Sequence, residues 1–341
     1  MSTIYVRQSD GSDRDSGLSQ TDAFRTIQKA LALAKATPEP DKIHIGAGVY
    51  APQVVKSDRT TLLFSDGAKI SGALNPKAMH GILVAADHVT VEGPEIFGVR
   101  GAGFAAADGS DWITLRGAYS HDNGGHGASF IGGDYYVIED NTFAYNVGRM
   151  DRSLRQVSGV SILHPREIDG GGAYHIKMLD NVIYGNSTPA KTDGFGAILD
   201  TFKLAGSPFA YDAATLIAGN TFRENGNSGL YAYHVENVTV RDNAFWHNAQ
   251  DDTKQLATEI GLNDAHGVKI IGNAATADDG EFVFYASKGS DATFSGNDFG
   301  PPDHVLAPWS APIAASTAAF AIDPHEAFPW WDEHAHILNF G

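Results

Sequence analysis

At 341 residues, 43% hydrophobic and 19% charged, the chain is long enough for one large folded unit and too apolar for bulk disorder. A net charge of −17 argues against nucleic acid as a partner, because phosphate backbones bind through Lys and Arg. With no cysteine there is neither a disulfide framework nor a thiolate metal site, and the 38 glycines, scattered between strand-like runs without a collagen period, mark a turn-rich β protein.

In chain order, residues 1–7 enter a strand at once, with no basic segment followed by an apolar one of the secretory kind. No run reaches the ~20 apolar residues that span a bilayer, so no membrane partner is expected. Residues 20–36 place Phe24, Ile27, Leu31 and Ala34 at helical spacing, with Thr21 or Asp22 as N-cap. A strand at 42–45 and a Gly-rich turn at 46–50 follow.

From there a unit repeats: a glycine, an alternating strand, then a β-branched strand closing on asparagine. Its glycines are Gly81, Gly103, Gly127, Gly159, Gly196 and Gly229, at spacings of 22, 24, 32, 37 and 33 residues. Asn141, Asn181, Asn220, Asn243, Asn273 and Asn297 fall at one turn of successive units, where Asn can adopt left-handed backbone and bond its counterpart in the next unit. A unit this short cannot bury an apolar face alone, so units must stack. The expected fold is all-β: a single-stranded right-handed parallel β-helix forming one domain over 1–341. Helix 20–36 caps its N-terminal end, and an irregular wrap over about 300–341, rich in proline, covers the other.

Alternation sets the faces. Counting from the glycine, Ala128 and Phe130, Val160 and Ile162, Ala197 and Leu199, and Leu230 and Ala232 point inward. Ser129, Ser161, Ile198, Asp200, Tyr231 and Tyr233 point outward, with His164 and His234 just past the strand ends, making a polar and aromatic surface suited to sugars. The three longest units put their extra length into loops 147–157, 165–173, 187–193 and 203–213, the expected walls of a cleft. Residues 148–167 hold Arg149, Arg152, Arg155 and Arg166 against two acids, a basic wall fitted to carboxylate recognition.

The segment IYVRQSDGSDRDSGLSQTDAFRTIQKALALAK with DKIHIGAGVY resembles the start of bacterial β-helix proteins, including family 9 pectate lyases. TDGFGAILD (192–200) and residues 216–243 resemble β-helix polysaccharide lyases and mannuronan C-5 epimerases. The resemblance implies the fold and a secreted, periplasmic or cell-surface enzyme acting on an acidic polysaccharide. It implies a lyase first, with a glycoside hydrolase, a C-5 epimerase or a non-catalytic tailspike-like or adhesin module as alternatives. LHPRE (163–167) departs in order from the Asp-Pro-His-Glu stretch of the epimerases, so no role carries over by position.

Lyase chemistry needs a cation or donor on the uronate carboxylate, a base for C5–H and an acid for the leaving oxygen. Related lyases often meet the first need with Ca²⁺; here the oxygen donors for it are Asp193, Asp200, Glu167 and Asp169. Base and acid are sought among His164, Lys191, Tyr231, Tyr233 and His234, and substrate contacts among Arg149, Arg152, Arg155, Arg166 and Ser161.

Overall fold

The protein is described by a computed structural model over residues 2–37, 40–147, 157–171, 173–189, 193–251, 258–278, 281–287 and 289–300. Arg149, Arg152, Arg155, Lys191 and the expected C-terminal wrap lie outside these residues.

Three parallel sheets run along a solenoid. Sheet I has 11 strands, and sheets II and III have nine each. The chain visits them in turn: in one coil 137–139 lies in sheet I, 142–144 in sheet II and 160–163 in sheet III, before 176–179 returns to sheet I. Each strand pairs with the equivalent strand one coil away, so Phe130 sits beside Ile162 and Ile162 beside Leu199. The inward set read from alternation is buried throughout, and Ala128, Phe130, Val160, Ile162, Ala197, Leu199, Leu230 and Ala232 all belong to one continuous core. Each Leu, Ile or Phe there contributes about 1.5–3 kcal/mol of transfer free energy.

The coils approach closely at the repeating glycines. A Cβ on Gly196 would lie 2.4 Å from the carbonyl oxygen of Gly229, a contact that backbone cannot yield to. Between sheets I and II the asparagines form the expected ladder. Asn181 Nδ2 donates to Asn220 Oδ1 at 2.8 Å, and Asn220 to Asn243 at 2.9 Å, all buried. The left-handed residue, however, is the one before each Asn: Asp140 (φ 55°), Asp180 (54°), Gly219 (68°) and Asp242 (55°). Gly and Asp tolerate that conformation, which frees each Asn to lie extended with its amide in the stack.

The N-terminal helix is shorter than its periodicity suggests, Ile27–Ala36. Phe24 is drawn out of it because its N–H and C=O pair with Tyr5 and Arg7 at the edge of sheet I. The cap is therefore Thr26, whose Oγ1 accepts from Lys29 N–H at 3.3 Å and donates to Asp13 at 2.8 Å. Ile27, Ala30, Leu31 and Ala34 bury the inner face against strands Ser2–Val6 and Asp41–Ile45, closing the open end of the solenoid. Among the described residues no helix is long and apolar enough to cross a membrane.

Candidate functional site at the edge of sheet III

Two outward rows run along sheet III. The first is Ser129, Ser161, Ile198, Tyr231, Gly261 and Tyr285, in register on successive strands. It was expected to be a solvated sugar platform, yet Ser161 is 7% and Tyr231 also 7% exposed. Phe195, Ile198, Tyr231 and Tyr285 gather there into a second apolar cluster outside the solenoid. The Tyr231 ring stacks on Phe195 at 4.7 Å and lies over Gly261, where a Cβ would come within 2.8 Å of it. Asn263 Nδ2 donates to the Tyr231 hydroxyl at 3.2 Å, and burial pushes that hydroxyl's pKa well above the usual tyrosine range. Tyr231 and Ser161 therefore build the floor beneath the site.

The second row carries the chemistry. Leu163, Asp200, Tyr233 and Asn263 are in register on four adjacent strands. The next residue of each strand run is left-handed: His164 (φ 49°) and Thr201 (50°) just past strands Val160–Leu163 and Ala197–Asp200, and His234 (50°) and Asp264 (48°) within the longer strands Leu230–Glu236 and Thr258–His266. Such values are uncommon outside glycine, and here the turns are stacked by His164 N–H to Asp200 O at 3.1 Å and Thr201 N–H to Tyr233 O at 2.8 Å. The shared turn sets these side chains side by side along one edge.

Asp200 is 6% exposed. Burial raises its carboxyl pKa above the ordinary aspartate value, against the opposing effects of the Thr201 hydroxyl, which donates to it at 2.7 Å, and of nearby His234. Tyr233 is half-buried, its phenol raised first by burial and then by the charges of Asp200 and Asp264. Its ring meets His234 edge-on at 3.9 Å. His234 Nδ1 lies 2.5 Å from Asp264 Oδ2, which fixes the imidazole with Nε2 as its second, independent nitrogen. Burial works to raise Asp264, but bonds from His234 and His266 outweigh it and hold the carboxylate below its usual range. His266 Nε2 is 3.2 Å from Asp264, and its Nδ1 is 3.0 Å from Asp291. The edge thus offers an oriented imidazole, a phenol and a buried carboxyl.

The other sequence candidates scatter. His164 stacks on Phe209 at 3.8 Å, with burial lowering its pKa. Arg166 pairs with Asp108 at 2.7 Å across an exposed surface. Asp193 is buried and accepts from Ser158 Oγ at 3.3 Å. Glu167 and Asp169 lie around the corner beside sheet I, where Glu167 accepts from Asp212 N–H at 3.3 Å and Asp169 from the Tyr135 hydroxyl at 2.7 Å. The four carboxylates proposed for Ca²⁺ do not converge, and among the described residues no three His, Cys, Asp or Glu form a metal-binding group. They do not fit the ion, because loop length carried two of them past the corner while strand alternation kept Asp200 on sheet III.

Three features escaped the sequence reading. A second asparagine ladder, Asn123, Asn146, Asn186, Asn225 and Asn248, runs at the end of sheet II and terminates on the buried carboxyl of Glu259. Aspartates make a third ladder: the N–H groups of Asp87, Asp111 and Asp134 donate to the carboxylates of Asp58, Asp87 and Asp111 at 3.0, 3.0 and 2.8 Å. The recurring Asp before sheet I strands (SDRTTL, ADHVTV, SDWITL, GDYYVI) was its signal. At Asp134 this ladder breaks. Its carboxylate instead meets His175 Nδ1 at 2.8 Å and the Tyr211 hydroxyl at 2.8 Å, both buried, and Ile168 N–H at 3.2 Å nearer the surface.

The family model described as "Right handed beta helix region" matches residues 68–299. The chain belongs to the right-handed β-helix family. Solved β-helices that it resembles include an A-module of mannuronan C-5 epimerase from Azotobacter vinelandii, at 14% identity and a TM-score of 0.54, covering 93% of this chain and 100% of that one. An alginate lyase from Paenibacillus sp. aligns at 15% identity and TM-score 0.53 over 80% of this chain and 92% of its own. The pectate lyase Pel9A aligns at 13% and 0.51 over 93% and 82%. At these identities the likeness is one of fold. No curated protein sequence matches the chain.

Proposed function

We propose that this β-helix protein is an exported polysaccharide lyase that cleaves a uronate-containing polymer by β-elimination at the outer edge of sheet III. The observation that carries the reading is the stacking of Asp200, Tyr233 and Asn263 in register beside the His234–Asp264 pair. Neighbouring strands are about 4.8 Å apart, so these groups address successive parts of one bound sugar chain.

In the proposed reaction His234 Nε2 removes the C5 proton, and Asp264 stabilises the imidazolium that forms. The C5–H electrons become the C4–C5 double bond as the C4–O bond breaks. Tyr233, kept protonated by its raised pKa, gives its proton to the departing oxygen. The Asn263 amide donates to the uronate carboxylate, which makes the C5 proton more acidic, and Asp200, on the other side of Tyr233, contacts the neighbouring sugar. The fold likeness to an alginate lyase, a pectate lyase and a mannuronan C-5 epimerase supports a polysaccharide substrate.

The test is incubation with alginate, pectate and hyaluronan while following the ultraviolet absorbance of unsaturated uronate ends. Appearance of that chromophore, lost in His234→Ala, is the expected result. Reducing ends without it would make the protein a hydrolase, inversion at C5 without cleavage an epimerase, and binding alone a recognition module. Any of the three overturns the reading.

A further inference from the structure

Around the corner from sheet III, an open cleft of about 680 Å³ lies over sheet I. Its floor follows an outward row of that sheet, in which Lys177, Leu216, Thr239 and Lys269 are in register on four adjacent strands and Lys177, Thr239 and Lys269 line the cleft. At about 4.8 Å per strand the two lysine positions stand roughly 14 Å apart along the solenoid axis. Leu216 and Thr239 between them are buried, so the floor dips between two cations. In a chain of net charge −17, neither lysine has a carboxylate within ion-pair distance among the described residues.

Acids at the rim are engaged elsewhere. Asp212 is held by Lys203 Nζ at 2.6 Å, and Glu167 accepts the N–H of Asp212 at 3.3 Å. Hydroxyls complete the lining, with Tyr174 donating to Thr239 at 3.4 Å.

One wall is built with unusual rigidity for a surface segment. Ile168 N–H is tied to buried Asp134, and Asp169 receives both the Tyr135 hydroxyl at 2.7 Å and the Gly171 N–H at 3.0 Å. The Tyr135 hydroxyl also lies 3.1 Å from His175 Nε2, and His175 is itself locked to Asp134. A Cβ on Gly171 would lie 3.0 Å from Asp169, His175 and Tyr135 side-chain atoms alike, so the wall packs tightly around it. The broken aspartate ladder thus becomes an anchor that holds 168–171 upright beside the lysine row.

We propose that this cleft is a second binding site, for a stretch of anionic saccharide lying along the solenoid axis with its carboxylates on Lys177 and Lys269. Thr239 and Tyr174 take its hydroxyls. An elongated polar cleft with spaced cations and hydroxyls matches a polymer bearing one carboxylate per sugar better than a compact anion, which would draw both ammonium groups together. The saccharide class rests on the proposed function, whereas the preference for a negative charge does not.

The experiment is calorimetric titration of the full chain carrying His234→Ala, so that ligand is not consumed, with defined oligomannuronate and oligogalacturonate and with a neutral cello-oligosaccharide. Two classes of site for the uronates are expected, and none of the lysine-dependent class for the neutral control. Adding Lys177→Ala and Lys269→Ala should weaken one class at least about tenfold, and Lys177→Arg with Lys269→Arg should retain it. An isotherm indifferent to the alanine pair overturns the inference, as does equal binding of the neutral sugar in the cleft. Because the arginine pair preserves charge and surface, its folding state controls for misfolding of the alanine pair. If wild-type protein cleaves no uronan but lysine-dependent binding persists, the lyase reading falls and the second site stands. If it cleaves and binding ignores the lysines, the reverse holds.

Discussion

Two corners of the solenoid use the same backbone device to opposite ends. Between sheets I and II five successive turns take one left-handed residue, Asp140, Asp180, Gly219, Asp242 or Gly272, and follow it with an asparagine that bonds its neighbour in the next coil. At the outer edge of sheet III the chain again takes one left-handed residue per coil, yet the side chains there are His164, Thr201, His234 and Asp264. Where every coil needs the same hydrogen bonds, one residue type recurs; where the stacked turn supplies its own backbone bonds, the side chains are released to differ. Repetition marks what holds the molecule together, and variation at an equivalent position marks what it can do.

The comparison breaks first, and most visibly, at the varied corner. His234→Ala is expected to lower cleavage by at least about a hundredfold with the fold intact, the usual scale for losing a positioned base. Rate measurements with circular dichroism on the same sample check both halves of that statement. Asp264→Asn should act through the orientation of His234, reducing kcat by a smaller factor and shifting the pH profile, which separates a positioning role from a merely structural one.

At the repeated corner the same kind of truncation should cost stability and leave chemistry alone. Asn220 Nδ2 bonds Asn243 Oδ1 and two backbone carbonyls while its Oδ1 serves Asn181, so Asn220→Ala strands several buried groups at once. A loss of about 3 kcal/mol or more in denaturant unfolding is expected. Survival of full stability would mean that stacking of the coils, and not the ladder, bears the load.

The end of the second ladder sharpens the contrast with pH. Burial raises the Glu259 carboxyl to about 8, despite the bonds from Asn248 that favour the charged form. With a folded pKa above the unfolded value of 4.5, its contribution is fully present below that value and is lost as pH rises through about 8. Wild-type stability should therefore fall across this window, by roughly a few kcal/mol, and Glu259→Gln should flatten the dependence. The smallest effect is expected at the surface: Arg166→Ala removes an exposed pair with Asp108 and should change unfolding free energy by under about 1 kcal/mol.

The inward residues of sheet III were legible because alternation has only two phases, and one of them, from Ala128 to Ala232, is uniformly apolar. Solvent exposure of the other phase was not. Whether Tyr231 lies open or covered depends on Phe195 in the preceding coil, on the missing side chain of Gly261 in the next and on Tyr285 beyond it. Asp200, Tyr233 and His234 were found from their place past the glycine, whereas Asp264, which orients His234 from 30 residues away, was not, because its strand lacks the repeating glycine. Glu259 occupies that position instead.

By itself the sequence determined the coil, its register and its ladder, since each of these is dictated by a local period that every unit repeats. Only the tertiary structure decided which acids share a face. The excursions 164–175 and 201–214 leave sheet III for sheet I, and no local rule fixes how far an unrepeated segment travels before it packs. That distance placed Glu167 and Asp169 beside a lysine-floored cleft and left Asp200 with Tyr233 and His234 at the edge. The physical reason is that coil stacking is a nearest-neighbour interaction, readable one repeat at a time, whereas both sites are assembled from residues on three or more coils.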